Sequence, residues 1–159
     1  MAAVWTAAAV VAGFAGACSS PHHTPSLRTH VTAAGTEASF AGVSATVPAT
    51  WHVVEGNPAF CGSIVGRTAY FYVGPDGPAP GCSSSAPTGP YFSVECLPHG
   101  AAALTSQATK VGPFVAIVQQ EPGETLIYLI GRDTLLDLYG TSGLLRRIEP
   151  SISATAGSC

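Results

Sequence analysis

From residue 36 to residue 139 the apolar residues recur with a period of two, in short runs closed by Gly, Pro or acidic turns. No helical period interrupts them. With 18 Gly and 13 Pro in 159 residues, the breakers are frequent enough to cap each run before it reaches helical length. A chain of this pattern folds mainly by pairing short strands, and its length allows one domain.

The runs can be placed. Residues 36–40 and 43–47 flank Ala41-Gly42, and Val43, Ala45 and Val47 alternate with Ser44 and Thr46, which reads as a hairpin with one buried face. Pro48 ends it. Trp51, Val53 and Val54 supply bulky packing before Gly56-Asn57-Pro58. Residues 64–73 form the next expected strand, dense in aromatic and β-branched side chains at Tyr70-Phe71-Tyr72-Val73. Residues 74–90 hold nine Gly or Pro and cannot continue it. Phe92, Val94 and Cys96 then alternate with Ser93 and Glu95, which places Cys96 on a buried face.

Residues 113–139 read as a three-strand meander with turns at EPGE and GRD, and its middle strand, TLIYLI, is apolar on both faces. The expected cover is a helix begun by Thr141 or Ser142, with Leu144, Leu145 and Ile148 as its apolar stripe and Pro150 near its end. The predicted fold is one α+β domain over 36–159, an antiparallel sheet with a short C-terminal helix packed on one face; an all-β sandwich is the alternative.

Charge excludes one class of partner. The chain has 6 Lys and Arg against 9 Asp and Glu, a net charge of -3, with Arg146-Arg147 as the only adjacent basic pair. Nucleic-acid binding needs clustered cations to replace phosphate counterions, so no nucleic-acid partner is expected.

Residues 1–17, MAAVWTAAAVVAGFAGA, carry no charged side chain and lead directly to Cys18. A spanning helix needs about 20 predominantly apolar residues, and this run is shorter and rich in small Ala and Gly. It has the length of a signal-peptide core. Its end, Ala15-Gly16-Ala17-Cys18, resembles the lipobox of bacterial lipoproteins. The resemblance implies cleavage before Cys18 and attachment of acyl chains, palmitate among them, to that residue. The mature chain would be lipid-anchored on the extracytoplasmic face of the cell membrane. Several chains, each worth about 0.8 kcal/mol per buried CH₂, hold far better than one.

Residues 18–35 are rich in Ser, Thr, Pro and His and read as the lipidated N-terminus with a flexible tether. His22, His23 and His30 lie there without Cys, Asp or Glu at ligand spacing, so no metal is expected.

With Cys18 given to lipid, Cys61, Cys82, Cys96 and Cys159 remain, an even number in an exported chain and without a C-x-x-C pair. Of the three connectivities, Cys61 with Cys82 and Cys96 with Cys159 is preferred. The first would staple the Pro/Gly loop beside its strand, and the second would tie the C-terminal tail to a buried strand.

The Val47-Pro48-Ala49-Thr50-Trp51 strand exit and a Cys pair around an aromatic strand resemble uncharacterised exported modules of high-GC Gram-positive bacteria. That resemblance implies no activity.

No catalytic motif appears. G-x-S-x-G is missing, as are both Gly-rich phosphate loops. His52 and His99 are the candidate general bases, with Glu55, Glu95, Asp133 or Asp137 as partners, but no spacing links them. Asp133 and Asp137 lie four apart, with Asp133 in the GRD turn. Tyr70, Tyr72 and Tyr91 are the candidate aromatic platform for a sugar or lipid. The expected function is a non-catalytic, lipid-anchored binding or accessory module without cofactor. It would engage an envelope protein or cell-wall component, with the loop 74–90 and Tyr91 as first contact surface. An envelope hydrolase and a small lipid or small-molecule carrier are the alternatives.

Overall fold

The Ala41-Gly42 turn joins two strands as expected, and the rest of the fold is built outward from that hairpin. The computed structural model describes residues 24–56, 64–74, 87–97, 107–140, 142–157 and 159. Strands β1 (Arg28–Thr32), β2 (Gly35–Phe40) and β3 (Val43–Val47) pair antiparallel in chain order. Ala41 and Gly42 both have positive φ, 49° and 78°, the geometry that lets a two-residue turn follow the strand twist. Ala38, Phe40, Val43, Ala45 and Val47 are buried, while Glu37, Ser39 and Ser44 hydrogen-bond among themselves on the other face.

Residues 28–32, read as part of the tether, form β1 instead. Four of the five are exposed, and backbone pairing with β2 orders them without any core contribution. A polar run carries no such signal in its side chains.

The second sheet has seven strands: β4 (His52–Glu55), β5 (Thr68–Val73), β6 (Tyr91–Cys96), β7 (Ala108–Val111), β8 (Phe114–Glu121), β9 (Glu124–Leu129) and β10 (Thr134–Tyr139), in the order β4-β5-β6-β10-β9-β8-β7. The meander is present as β8, β9 and β10, preceded by the unexpected β7. The antiparallel expectation fails on one side, where β4, β5 and β6 run parallel. Parallel neighbours need a crossover, which the long segments 57–67 and 74–90 supply.

The inner faces of the two sheets share one core. Phe71 of β5 is fully buried with its ring edge-on to Phe40 of β2 at 6.1 Å and to Phe92 of β6 at 6.0 Å. Ala116, Ile127, Leu129, Leu136 and Leu138 extend this layer.

Helix α1 (Ser142–Ile148) forms where expected, but it packs against β3 of the smaller sheet and not on the middle strand of the meander. Ile148 is its buried anchor. Strand β9 is covered on one face only, with Thr125, Ile127 and Leu129 buried and Leu126 and Tyr128 half-buried. Among the described residues the fold is β-rich, two sheets with one short α-helix, and the all-β alternative fits it as well as α+β.

The C-terminal residues fasten the sheets together. Strand β11 (Ser153–Ala154) pairs with Ser44 and Val43, the Ser151 hydroxyl accepts the Thr46 N–H at 2.9 Å, and the Thr155 N–H bonds the Gly42 carbonyl at 2.9 Å. Arg132 donates to the Gly157 carbonyl at 2.6 Å, and Cys159 is joined to Cys96 in a disulfide. A Cβ on Gly42 would lie 2.2 Å from the Gly157 carbonyl oxygen, a backbone atom. Gly42→Ala is therefore expected to lower stability by about 1–3 kcal/mol, from left-handed strain and displacement of this strap, as read by the urea midpoint.

Candidate functional site

Strand register decides which polar side chains meet. On the outer face of the seven-stranded sheet, one row runs Thr68, Tyr91, Tyr139, Glu124 across β5, β6, β10 and β9. The next runs Tyr70, Ser93, Asp137, Leu126, and the third Tyr72, Glu95, Leu135, Tyr128. The three tyrosines singled out from the sequence therefore share a face with two of the candidate acids.

They do not form an open platform. Tyr70 and Tyr91 are only 7% and 5% exposed, so of the three only Tyr72, half-buried, presents its ring. The hydroxyls are also engaged. Tyr70 both receives the Val65 N–H at 3.0 Å and faces the Val65 carbonyl at 3.4 Å, Tyr72 donates to Glu95 at 3.3 Å, and Tyr91 donates to Asp137 Oδ2. Tyr91 stacks on Tyr139 with ring centroids 5.3 Å apart. Tyr91 is thus withdrawn from the contact surface expected with loop 74–90, and residues 75–86 of that loop lie outside the described residues.

Burial dominates the electrostatics. It pushes the Asp137 carboxyl up to about 7, with the Tyr91 hydrogen bond opposing and the neighbouring Glu124 and Glu95 adding to the rise. Burial also raises Glu95, against a hydrogen bond from Tyr72. The Tyr72 and Tyr91 hydroxyls are held well above the usual tyrosine range, first by burial and then by Glu95 and Asp137 respectively. Asp137 Oδ1 is buried without a hydrogen-bond donor.

The other candidates do not converge. His52 and Glu55 are exposed on edge strand β4, and an offset of three residues puts them on opposite faces. Asp133 sits in the turn before β10 with φ of 49° and accepts the Tyr128 hydroxyl at 3.0 Å. His30 is exposed on β1. Cys18, His22, His23, Cys61, Cys82 and His99 lie outside the described residues, and with them the anchor and the Cys61–Cys82 pairing. Among the described residues no group of three or more His, Cys, Asp or Glu is placed to hold a metal ion, and no helix is long and apolar enough to cross a membrane.

Tyr139 and Glu124 were not legible as members of the patch, because only the pairing of β10 between β6 and β9 brings them to it. An open cleft of about 260 Å³ is lined by Phe40, Phe71, Tyr72, Val73, Pro25 and Glu55 among others. It is smaller than the several hundred Å³ of ordinary small-molecule sites. Compared with known proteins, the chain matches no family model, no curated protein and no solved structure.

Proposed function

We propose that this chain is a lipid-anchored module of the cell envelope that binds another component of that layer without catalysis. Its contact surface is the outer face of the seven-stranded sheet around Tyr72 and Tyr139. The observation that carries the reading is the set of half-buried Tyr72, Glu95, Asp137, Tyr139 and Glu124, gathered by register on one face with Tyr72, Tyr91 and Tyr139 already ordered by hydroxyl bonds and stacking. Rings fixed before contact lose little conformational entropy on binding, and amphipathic tyrosines suit an interface with one wet edge.

Among the described residues the cleft beside Phe40 and Tyr72 is small, which favours a surface over a carrier cavity. The dispersal of His52, Glu55 and Asp133 favours binding over hydrolysis.

The anchor rests on Ala15-Gly16-Ala17-Cys18. Strand β1 begins at Arg28, so only residues 19–27 separate it from Cys18, a span of at most about 36 Å when fully extended. A module held so close to the bilayer meets neighbours in the same layer at high effective concentration.

Cells fed a labelled fatty acid should label the wild-type protein and not Cys18→Ser, which should leave the membrane fraction or accumulate as uncleaved precursor. An unlabelled wild type contradicts the anchor. Binding that survives Tyr72→Ala combined with Tyr139→Ala contradicts the assigned face.

A further inference from the structure

Asp137 lies on β10 between Ser93 of β6 and Leu126 of β9, and Glu124 stands diagonally from it, opposite Tyr139. One Asp137 oxygen takes the Tyr91 hydroxyl; the other is buried without a hydrogen-bond partner, on the face where Glu124 is its diagonal cross-strand neighbour. Two ionised carboxylates are acceptors only, so these two carboxyls can bond to each other only when one of them holds a proton.

We propose that Tyr91, Asp137 and Glu124 form a proton-operated latch. A proton shared between the two carboxyls ties β6, β10 and β9 together across the outer face and keeps the Tyr91–Tyr139 stack in the ordered form that meets the partner, and its loss to solvent frees that stack. This rests on the reading of the face as the contact surface.

The groups facing Asp137 are Tyr91 and Glu95 from β6, Tyr139 from its own strand, Glu124 from β9 and Tyr72 from β5. The outward positions of these four strands carry no Lys, Arg or His, so no cation among them offsets the charge when the proton leaves. The orphaned oxygen and the adjacent like charge then act together. Burial already lifts the Asp137 carboxyl to about 7, which places the event in the neutral range.

The folded state keeps this proton to about pH 7, while the unfolded chain loses it near the ordinary carboxylate value. The folded state therefore binds more protons across that window, so stability falls as pH rises from about 4 to 7 and is level above.

The test uses the full chain in detergent without any partner, so its failure is separate from failure of the contact-surface reading. Near-ultraviolet circular dichroism followed from pH 5 to 9 should show a tyrosine transition with its midpoint near 7 and an unchanged far-ultraviolet spectrum. Hydroxyl-radical oxidation of Tyr72 and Tyr139 should rise through the same range. In Asp137→Asn the amide donates toward Glu124 at every pH while its oxygen still accepts from Tyr91, and the transition should be lost. Glu124→Gln, which can donate to Asp137 Oδ1, should lose it too and serves if the first variant folds poorly. Glu95→Gln should keep it. A wild type that shows no transition, or a transition that persists in both Asp137→Asn and Glu124→Gln, overturns the latch.

Discussion

Replacing Cys159 by Ser is expected to lower the unfolding free energy by about 4 kcal/mol in the chain-entropy model. The bond joins residues 63 apart in sequence whose Cα atoms lie 5.3 Å apart, so it removes a long closure from the unfolded ensemble. More than entropy is at stake. The strap from Ser151 to Cys159 supplies the outer edge of β3 and bonds the Gly42 carbonyl, and with its end released the short β11 has two paired residues to hold it. Loss of the bond should therefore also loosen β3. Non-reducing urea titrations should show a lower midpoint for Cys159→Ser, and a larger slope because the unfolded chain expands further. An unchanged midpoint would show that the bond adds nothing to stability.

Phe71→Ala should cost about 3–5 kcal/mol, a large share of the 5–15 kcal/mol that stabilises a domain of this size. Phe71 is fully buried and sits edge-on to rings from both sheets, Phe40 in β2 and Phe92 in β6, so its removal opens a void where the two layers meet. Rigid backbone on both sides limits collapse into that void. Thermal melts should place Phe71→Ala well below wild type and Phe71→Leu between them. Val31→Ala, at a position 76% exposed on β1, should melt with wild type. Equal melting of Phe71→Ala and Val31→Ala would contradict a shared core.

What could be read from the sequence was local. The 36–47 hairpin, the 113–139 meander, the helix start at Ser142 and the burial of Cys96 all follow from period, turn residues and breakers within a dozen positions. The Cys96–Cys159 pairing followed from where the strand and the tail would lie. Strand β1 escaped because a polar edge strand is ordered by its backbone ladder, which leaves no mark on side-chain periodicity. The parallel alignment of β4, β5 and β6 escaped for another reason. The sequence between them is rich in Gly, Pro and Ser and shows no helical period, so the usual sequence cue for a parallel connection was missing. The helix itself was found but its packing partner was not, since an apolar stripe fits either sheet equally well. At the candidate site the tyrosines could be named singly. Their union with Asp137, Tyr139 and Glu124 depends on β10 inserting between β6 and β9, a pairing between distant segments that no local pattern encodes.

The proposed module meets its partner through the outer face of the seven-stranded sheet. Site-specific photocrosslinking in living cells tests it most directly, with an aromatic photoprobe placed at Tyr72 or Tyr139 in the anchored protein and, as control, at Val31 on the opposite sheet. Discrete crosslinked adducts are expected from Tyr72 and Tyr139 and none from Val31. Adducts from Val31 with none from the two tyrosine positions would contradict it.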